Sequence, residues 1–417
     1  MLPITEIREN FPALNREYNG LKVIYMDGPG GTQVTESVIA SMVSYMSNGM
    51  ANRHGEFITS LETEETIQKA RESVADLFNA SPREIAFGQN ATTLMFSISR
   101  ALCRNWSRRD NIVVTELDHL SNVDSWASAA KQNGTEVRFL PVNTETMALD
   151  LSNLNDLIDE KTKLVAVTLA SNAIGTITDV ENIAKRAQEV GAVLAIDAVH
   201  AAPHFSIDID QLNADLLFCS AYKFFGPHVG IAVIKESILD DLSVFKVSPA
   251  PHDYADKLET GTQSHEGIAS IEASIDFIAS LGEGSNRSEK IKSAFMKIEE
   301  HENQLANKLR EALSKIPEIT IYQAPSNVAK TPTIAFTING VDPKYVCKWL
   351  ADKYSIFVSN GDFYASLLSE KLGVDKNGGW IRVGMAPYNT AEEVDRLIES
   401  IKSYIETEVK ITGTVSS

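Results

Sequence analysis

The sequence predicts an α/β protein: a large domain on a mostly parallel, seven-stranded sheet, followed by a smaller α+β C-terminal domain. Two patterns point to this. From residue 84 onward, short apolar runs alternate with segments whose apolar residues recur at helical spacing. The apolar runs do not alternate with polar residues, as expected of strands covered on both faces by helices. Size agrees, because 417 residues with 43% hydrophobic and 23% charged composition can bury a large core and fill two domains.

Taken in order, residues 4–14 read as a short amphipathic segment interrupted at Pro12, and 23–26 as a strand running into Asp27-Gly-Pro-Gly-Gly31. The glycines there let the backbone pass close to a partner, either as a plain turn or as a loop lining a site. Residues 34–47 and 61–78 have helical spacing, and the loop between them carries Arg53 and His54, read as a solvated pair or, by the family resemblance given below, as anion contacts. Strand–helix pairs follow at 84–87 and 92–102, 112–115 and 121–130, 137–140 and 151–158, and 164–169 and 180–190. Runs 193–196, 216–219 and 231–234 complete the sheet, and ligands of such sheets sit at the carboxyl ends of the strands. Residues 245–262, with Pro249, Pro251 and His252, read as a long loop. Two helices, 265–281 and 289–315, lead to strands 319–322, 331–336 and 381–383 and helices 344–353 and 391–407. The expected division is 18–262 for the large domain and 263–417 for the small one, with 1–17 packing on the small one and 409–417 as a frayed tail.

A net charge of −18 repels phosphate backbones and anionic lipid, so nucleic-acid and membrane-surface partners are not expected. No apolar stretch approaches membrane-spanning length, and the first residues lack the basic start and apolar run of a secretory leader. Cys103, Cys219 and Cys347 are odd in number and lack metal-ligand spacing, which argues against a disulfide framework and for a reducing cytoplasm.

The chemistry centres on Lys223, which follows an apolar strand and is flanked by aromatic residues and Gly226-Pro227. Partial desolvation there disfavours the ammonium form and makes the amine a nucleophile suited to a Schiff base. Upstream, Asp197 stands at the end of another buried strand. An amine and a carboxylate are the two groups that pyridoxal 5'-phosphate requires, one for the aldehyde and one to keep the pyridine nitrogen protonated. Gln89-Asn-Ala-Thr-Thr93 opens a helix, where N–H groups and hydroxyls make an anion site; a plain cap by Asn90 is the alternative. His119 and Asn172 follow two further strands, with a surface imidazole and a turn residue as their plain readings.

These residues resemble the class V aminotransferase family of fold-type-I pyridoxal-phosphate enzymes, in the branch of cysteine desulfurases and selenocysteine lyases. The motifs are Tyr25-Met-Asp-Gly28, Phe87-Gly-Gln-Asn-Ala-Thr92, Asp118-His119, Ser171-Asn172, Glu259-Thr-Gly-Thr262 and Ile381-Arg-Val-Gly384, in order over nearly the whole chain. The resemblance implies cofactor phosphate at Ala91, Thr92 and Ser220, ring stacking by His119, and contacts to the phenolic oxygen from Asn172 and His200. It implies further that Thr262 serves the phosphate of an opposite subunit in a homodimer with shared sites, and that Arg382 clamps the substrate α-carboxylate through a two-pronged hydrogen bond. Three positions depart from the family pattern. Tyr364, with Arg382 a candidate substrate-binding residue, stands where desulfurases carry their nucleophilic cysteine, Tyr222 where a histidine commonly precedes the lysine, and His200 where glutamine is usual.

The expectation is therefore a pyridoxal-phosphate enzyme acting on a small amino acid, with Lys223 and His119 as its catalytic groups. An aminotransferase or lyase reaction is favoured, and desulfurase-like sulfur release is the alternative. Ser220-Ala-Tyr-Lys223 also fits the Ser-x-x-Lys pattern of serine acyl-transfer enzymes, although the companion tripeptides Ser-Asp-Asn and Lys-Thr-Gly do not occur. A catalytically dead scaffold would be expected to lose Lys223 or Asp197, and both are present.

Overall fold

The computed structural model describes residues 2–250, 252 and 254–409. Pro251 and most of the expected tail, 410–417, lie outside the described residues. The central sheet contains β1 (Ile85–Gly88), β2 (Asn111–Thr115), β3 (Glu136–Leu140), β4 (Thr162–Thr168), β5 (Val193–Asp197), β6 (Leu216–Ser220) and β7 (Gly230–Ile234). Its order is β1-β7-β6-β5-β4-β2-β3. Strands β2 to β6 are parallel, and β7 runs antiparallel to both β6 and β1. The inner strands β2, β5, β6 and β7 are buried almost throughout, which explains why their sequences show no polar alternation.

A second, four-stranded antiparallel sheet contains β8 (Ile319–Tyr322), β9 (Thr333–Ile338), β10 (Ser359–Gly361) and β11 (Trp380–Gly384), in the order β8-β9-β11-β10. Its apolar face packs against Leu305, Leu309 and Leu313 of the long helix Arg287–Ser314 and against Val394, Leu397 and Ile401 of the helix Ala391–Tyr404.

The expected division at 262/263 does not follow the cores. Helices His265–Ala269 and Ile271–Ser280 put Ile268, Ile271, Ile275 and Ile278 into the core of the large sheet. Residues near the start, expected on the small domain, place Ile7, Phe11 and Leu14 in that same core, where the Phe11 ring meets Phe225, Phe277 and Tyr388 edge-on. The helix Arg287–Ser314 then threads both cores, with Ile291, Phe295 and Ile298 in the first and Leu305 to Leu313 in the second.

Several local expectations change. The segment 265–281 is two helices that meet at Ser270, and 151–158 contributes only the single turn Leu154–Leu157. Helices Glu236–Asp241 and Ser366–Leu372 and the edge strand β10 carried too few residues for a periodic signal.

One contact ties the sheet to the cavity above it. A Cβ built on Gly230, in β7, would lie 2.2 Å from the carbonyl carbon of Asn90, at the start of the helix Ala91–Leu102. Backbone atoms cannot swing aside, so Gly230→Ala is expected to destabilise the protein by about 2–3 kcal/mol. Chemical denaturation measures this, and an unchanged midpoint would refute the close approach.

Candidate active site

The carboxyl ends of the parallel strands converge on one cavity of about 300 Å³. Asp197 ends β5 in register with Thr168 of β4 and Phe218 of β6, which fixes its carboxylate centrally on that edge. Lys223 follows β6 after the single 3₁₀ turn Ala221–Lys223. Phe224 and Phe225 behind it are fully buried, and Phe225 takes a positive φ of 69° to make the turn. Its N–H donates to Thr32 Oγ1 at 2.8 Å, and Ser274 donates to the Phe224 carbonyl. The lysine is therefore clamped from behind by packed rings.

Both charges are held away from water. Lys223 is 8% exposed and its Nζ donates to the carbonyl of Pro29. Burial pulls its pKa down to about 7, aided by Arg382 and opposed by Asp27 and Asp197. Burial pushes Asp197 up to about 6, opposed by the Val199 N–H that donates to Oδ1 at 2.9 Å and by Lys223. Each group is moved toward its neutral form, as expected for a desolvated amine and a desolvated carboxyl.

The walls come from loops after neighbouring strands. His119 lines the cavity on the loop after β2, and buried Asp118 secures that loop by accepting from Thr115 and from Asn122 Nδ2 at 2.6 Å. His119 Nδ1 accepts the Ser121 N–H at 3.0 Å, so the neutral ring carries its proton on Nε2. Burial, with Lys223 and Arg382, lowers its pKa to about 4, so the ring is uncharged at neutral pH and not a protonated acid.

At the start of the helix Ala91–Leu102, Asn90 Oδ1 accepts the Thr93 N–H at 2.8 Å. The capping expected as the plain alternative is therefore present, but it claims Thr93 and not Ala91 or Thr92. Thr92 Oγ1 lies 2.8 Å from Ser121 Oγ, and Ser121, which the sequence did not single out, joins the same wall.

His200 is buried, and its Nε2 lies 3.1 Å from Thr331 Oγ1 and 3.0 Å from Thr333 Oγ1, so the small domain sets the ring. Burial lowers its pKa well below the usual range, helped by His204. His204 in turn pairs with buried Glu302 at 2.8 Å.

Arg382, in β11, reaches across from the small domain. Nη1 donates to the Asn172 carbonyl at 2.9 Å, Nη2 lies 3.4 Å from Asp27 Oδ1, and the guanidinium carbon sits 3.7 Å from the centroid of Phe363. Phe363 and Tyr364 both have left-handed backbone, at φ 57° and 58°. This segment closes over the large domain through two backbone carbonyls: Asn172 Nδ2 donates to that of Phe363 and the Leu120 N–H to that of Tyr364, both at 2.8 Å. Tyr364 is 68% exposed at the mouth, its ring 5.2 Å from His119.

The cavity thus brings together Ala91, Thr92, His119, Asn172, Asp197, His200, Ser220, Lys223, Tyr364 and Arg382. Thr262 is not among them. It lines a neighbouring depression on the other side of Asn90, with Gln89, Thr93 and Gln263. Arg53 is bound by Asp256 at 3.1 Å, and the adjacent Arg71 spans Asp256 and Glu259, so Arg53 is not a free anion contact. The acyl-transfer pattern finds no matching geometry, since Ser220 ends a strand before one 3₁₀ turn and Lys223 turns to Pro29. Among the described residues no group of acidic, histidine or cysteine side chains could hold a metal.

The aminotransferase class-V family model matches residues 24–397. The chain belongs to the aminotransferase class-V family. It is a pyridoxal-phosphate-dependent enzyme of fold type I that acts on an amino acid. Curated class-V relatives include a probable cysteine desulfurase of Streptomyces coelicolor, 30% identical with 96% of this chain and 97% of the relative covered. An aminotransferase-like protein of Gibberella zeae is 31% identical over 96% of this chain and 98% of its own. Among solved structures, the apo cysteine desulfurase of Thermococcus onnurineus superposes with a TM-score of 0.85 at 26% identity, covering 97% of this chain and 98% of the other.

The class-V cavity fits the cofactor in its donor set. A carboxyl, an amine and a helix N-terminus surround one space, and two buried polar atoms of lining residues, Asn172 Oδ1 and Arg382 Nε, have no partner among the described residues. The lowered Lys223 pKa gives a direct test. In the protein stripped of cofactor, labelling of Lys223 by an amine-reactive probe, followed by peptide mass, is expected to reach half-maximum near pH 7. Asp197→Asn, which removes a charge that favours the ammonium, should move that midpoint lower still. A midpoint in the range of surface lysines would refute the desolvated amine.

Proposed function

We propose that the cavity holds pyridoxal 5'-phosphate and converts a small amino acid by an aminotransferase or lyase reaction. The observation that carries this reading is that Lys223, in the turn after β6, and Asp197, at the end of β5, line the same cavity. Bound there, the cofactor would supply an aldehyde that joins the Lys223 amine and an electron sink for bond cleavage at the substrate α-carbon.

The protein's own part follows from position and charge. Ala91 and Thr92 offer the unclaimed start of a twelve-residue helix to the phosphate, with Ser220 beside them. His119 would lie against the ring as a neutral imidazole. Asp197 would hold the proton on the ring nitrogen, and a cation beside it would return its pKa toward the ordinary carboxylate range. Asn172 and His200, which line the same cavity, would hold the phenolic oxygen. With the cofactor bound, Lys223 would act as the base at the α-carbon, and a pKa near neutrality suits that task. Arg382 stays cationic although burial lowers its pKa to about 10, and it is the clamp for the α-carboxylate.

Sulfur transfer by a protein thiol finds no support in the chain. Cys219 is fully buried in β6, with its thiol pKa raised well above the usual range by burial, and Cys103 and Cys347 lie in other core clusters. The loop position at the mouth is Tyr364. The names of the desulfurase relatives keep sulfur release from cysteine as the second reading.

Two further readings belong to this proposal. A homodimer is supported by an exposed apolar stretch, Ile39, Val43, Met46, Met50, Phe57, Ile58 and Leu61, beside the ion cluster that anchors the loop of Thr262. In a dimer Thr262 would serve the partner's phosphate. A cytoplasmic setting is supported by three buried, unpaired cysteines. No described helix is long and apolar enough to cross a membrane.

Purified protein should take up pyridoxal phosphate and turn yellow, and borohydride should fix the cofactor's mass on Lys223. Lys223→Ala should abolish both, and cofactor mass on another lysine would refute the assignment. Arg382→Ala should weaken amino-acid binding by a factor of about 10 or more while cofactor affinity holds. With L-cysteine and reductant, sulfide should form slowly, and a protein-bound persulfide would reverse the preference between the two reactions. Phe57→Glu with Met46→Glu should halve the mass seen by sedimentation.

A further inference from the structure

Arg382 already has a carboxylate beside it. Asp27 Oδ1 lies 3.4 Å from Nη2, at the long end of ion-pair distances, and the Asp27 side chain is 38% exposed while that of Arg382 is 5% exposed. The pair is lopsided: a buried cation faces a half-solvated anion through one long contact. Nη1 is spent on the Asn172 carbonyl, and Nε is buried without a partner among the described residues. A guanidinium with one donor idle and one weakly used is short of the two-pronged contact that suits it.

The placement of Asp27 is built into the fold. Its loop is bridged to the strand of Arg382 at Gly384, and the Gly28 N–H donates to the Gly384 carbonyl at 3.3 Å. Gly30 leaves the room, since a Cβ there would lie 2.3 Å from Asp27 Oδ2. The same loop supplies the Pro29 carbonyl that holds Lys223. Phe363 covers the guanidinium at 3.7 Å, so a ligand's carboxylate has to meet Arg382 at its edge, where Asp27 sits.

We propose that Asp27 is the resident counter-ion of Arg382, which the α-carboxylate of the substrate must displace, and that it makes the site selective for amino acids with a single carboxylate. This rests on the reading of Arg382 as the carboxylate clamp. A long, half-solvated ion pair exchanges at little cost, so a ligand that makes two short bonds wins. Once displaced, Asp27 remains a negative charge next to Arg382, in the loop whose Pro29 and Gly30 line the cavity, and disfavours a second carboxylate on the ligand. Among the lining residues only Lys223 and Arg382 carry cationic side chains, so no third cation offsets that repulsion. Asp27 is thus a specificity-determining residue. Its charge also favours the ammonium form of Lys223, which gives a second, independent readout.

The test uses the full chain loaded with pyridoxal phosphate and two unreactive ligands without an amine, propanoate and succinate, titrated by calorimetry. Asp27→Asn is expected to bind propanoate about three- to tenfold tighter than the unaltered protein, on the scale of one partly exposed ion pair. Succinate should gain more than propanoate. Asp27→Glu, which keeps the charge, should restore the original preference, and Asp27→Ser serves should the asparagine variant not fold. In protein stripped of cofactor, the labelling midpoint of Lys223 should fall in Asp27→Asn. Unchanged or weaker propanoate binding in both Asn and Ser variants, with binding still lost in Arg382→Ala, overturns the role of Asp27 and leaves the clamp standing. Equal propanoate binding by the unaltered protein and Arg382→Ala overturns the clamp and the inference together.

Discussion

The site depends on keeping one amine dry. Lys223 can be held as a near-neutral nucleophile only because the strand before it is wholly buried and the two phenylalanines after it are locked into the main core. Dehydration of an amine is costly, and here the cost is offset locally by the Pro29 carbonyl and by Asp197 on the adjoining strand. The parallel sheet makes this possible, because it delivers several strand ends to the same edge in fixed register. Each further group hangs from a loop on that edge or reaches over it from the second domain.

The second domain completes the cavity and does more than close it. Arg382 enters between Asp27 and Asn172, and Thr331 and Thr333 fix His200 from beyond the large sheet. The helix Arg287–Ser314 is a shared beam through both cores, with the buried His204–Glu302 pair near the point where it passes from one to the other. This is why a division read from loop composition does not follow the cores. Residues 265–298 follow a loop in sequence, yet their apolar stripes have nowhere to be buried except beneath the large sheet.

Strands buried on both faces and helices with a sustained stripe were legible in the sequence, since burial itself selects those residues. The reversed direction of β7 was also recoverable. Only residues 221–229 join it to β6, and a parallel crossover needs about a dozen residues or more. The group that lines the cavity was legible for a related reason, because Asp197, His119, Asn172 and Lys223 all follow apolar runs. What stayed hidden was pairwise. Asp27 read as part of a glycine-rich turn, and only the folded chain sets it against a residue 355 positions away. Ser121 looked like an ordinary helix opener, and Phe363 like a neighbour of Tyr364. Thr262 illustrates the converse, since its motif matched while its side chain lies outside the cavity of its own chain.

The loop bearing Tyr364 is fastened by its main chain. Its carbonyls take hydrogen bonds from Asn172 and Leu120, the Tyr364 N–H goes to Asp362 Oδ1 at 3.1 Å, and the phenol itself stands mostly in solvent. A socket of this kind accepts different tools. The side chain at 364 is exchangeable without unseating the segment, and residues that tolerate left-handed backbone, asparagine and glycine above all, should fit it most easily. A change of side chain at this rim position is thereby uncoupled from the stability of the fold.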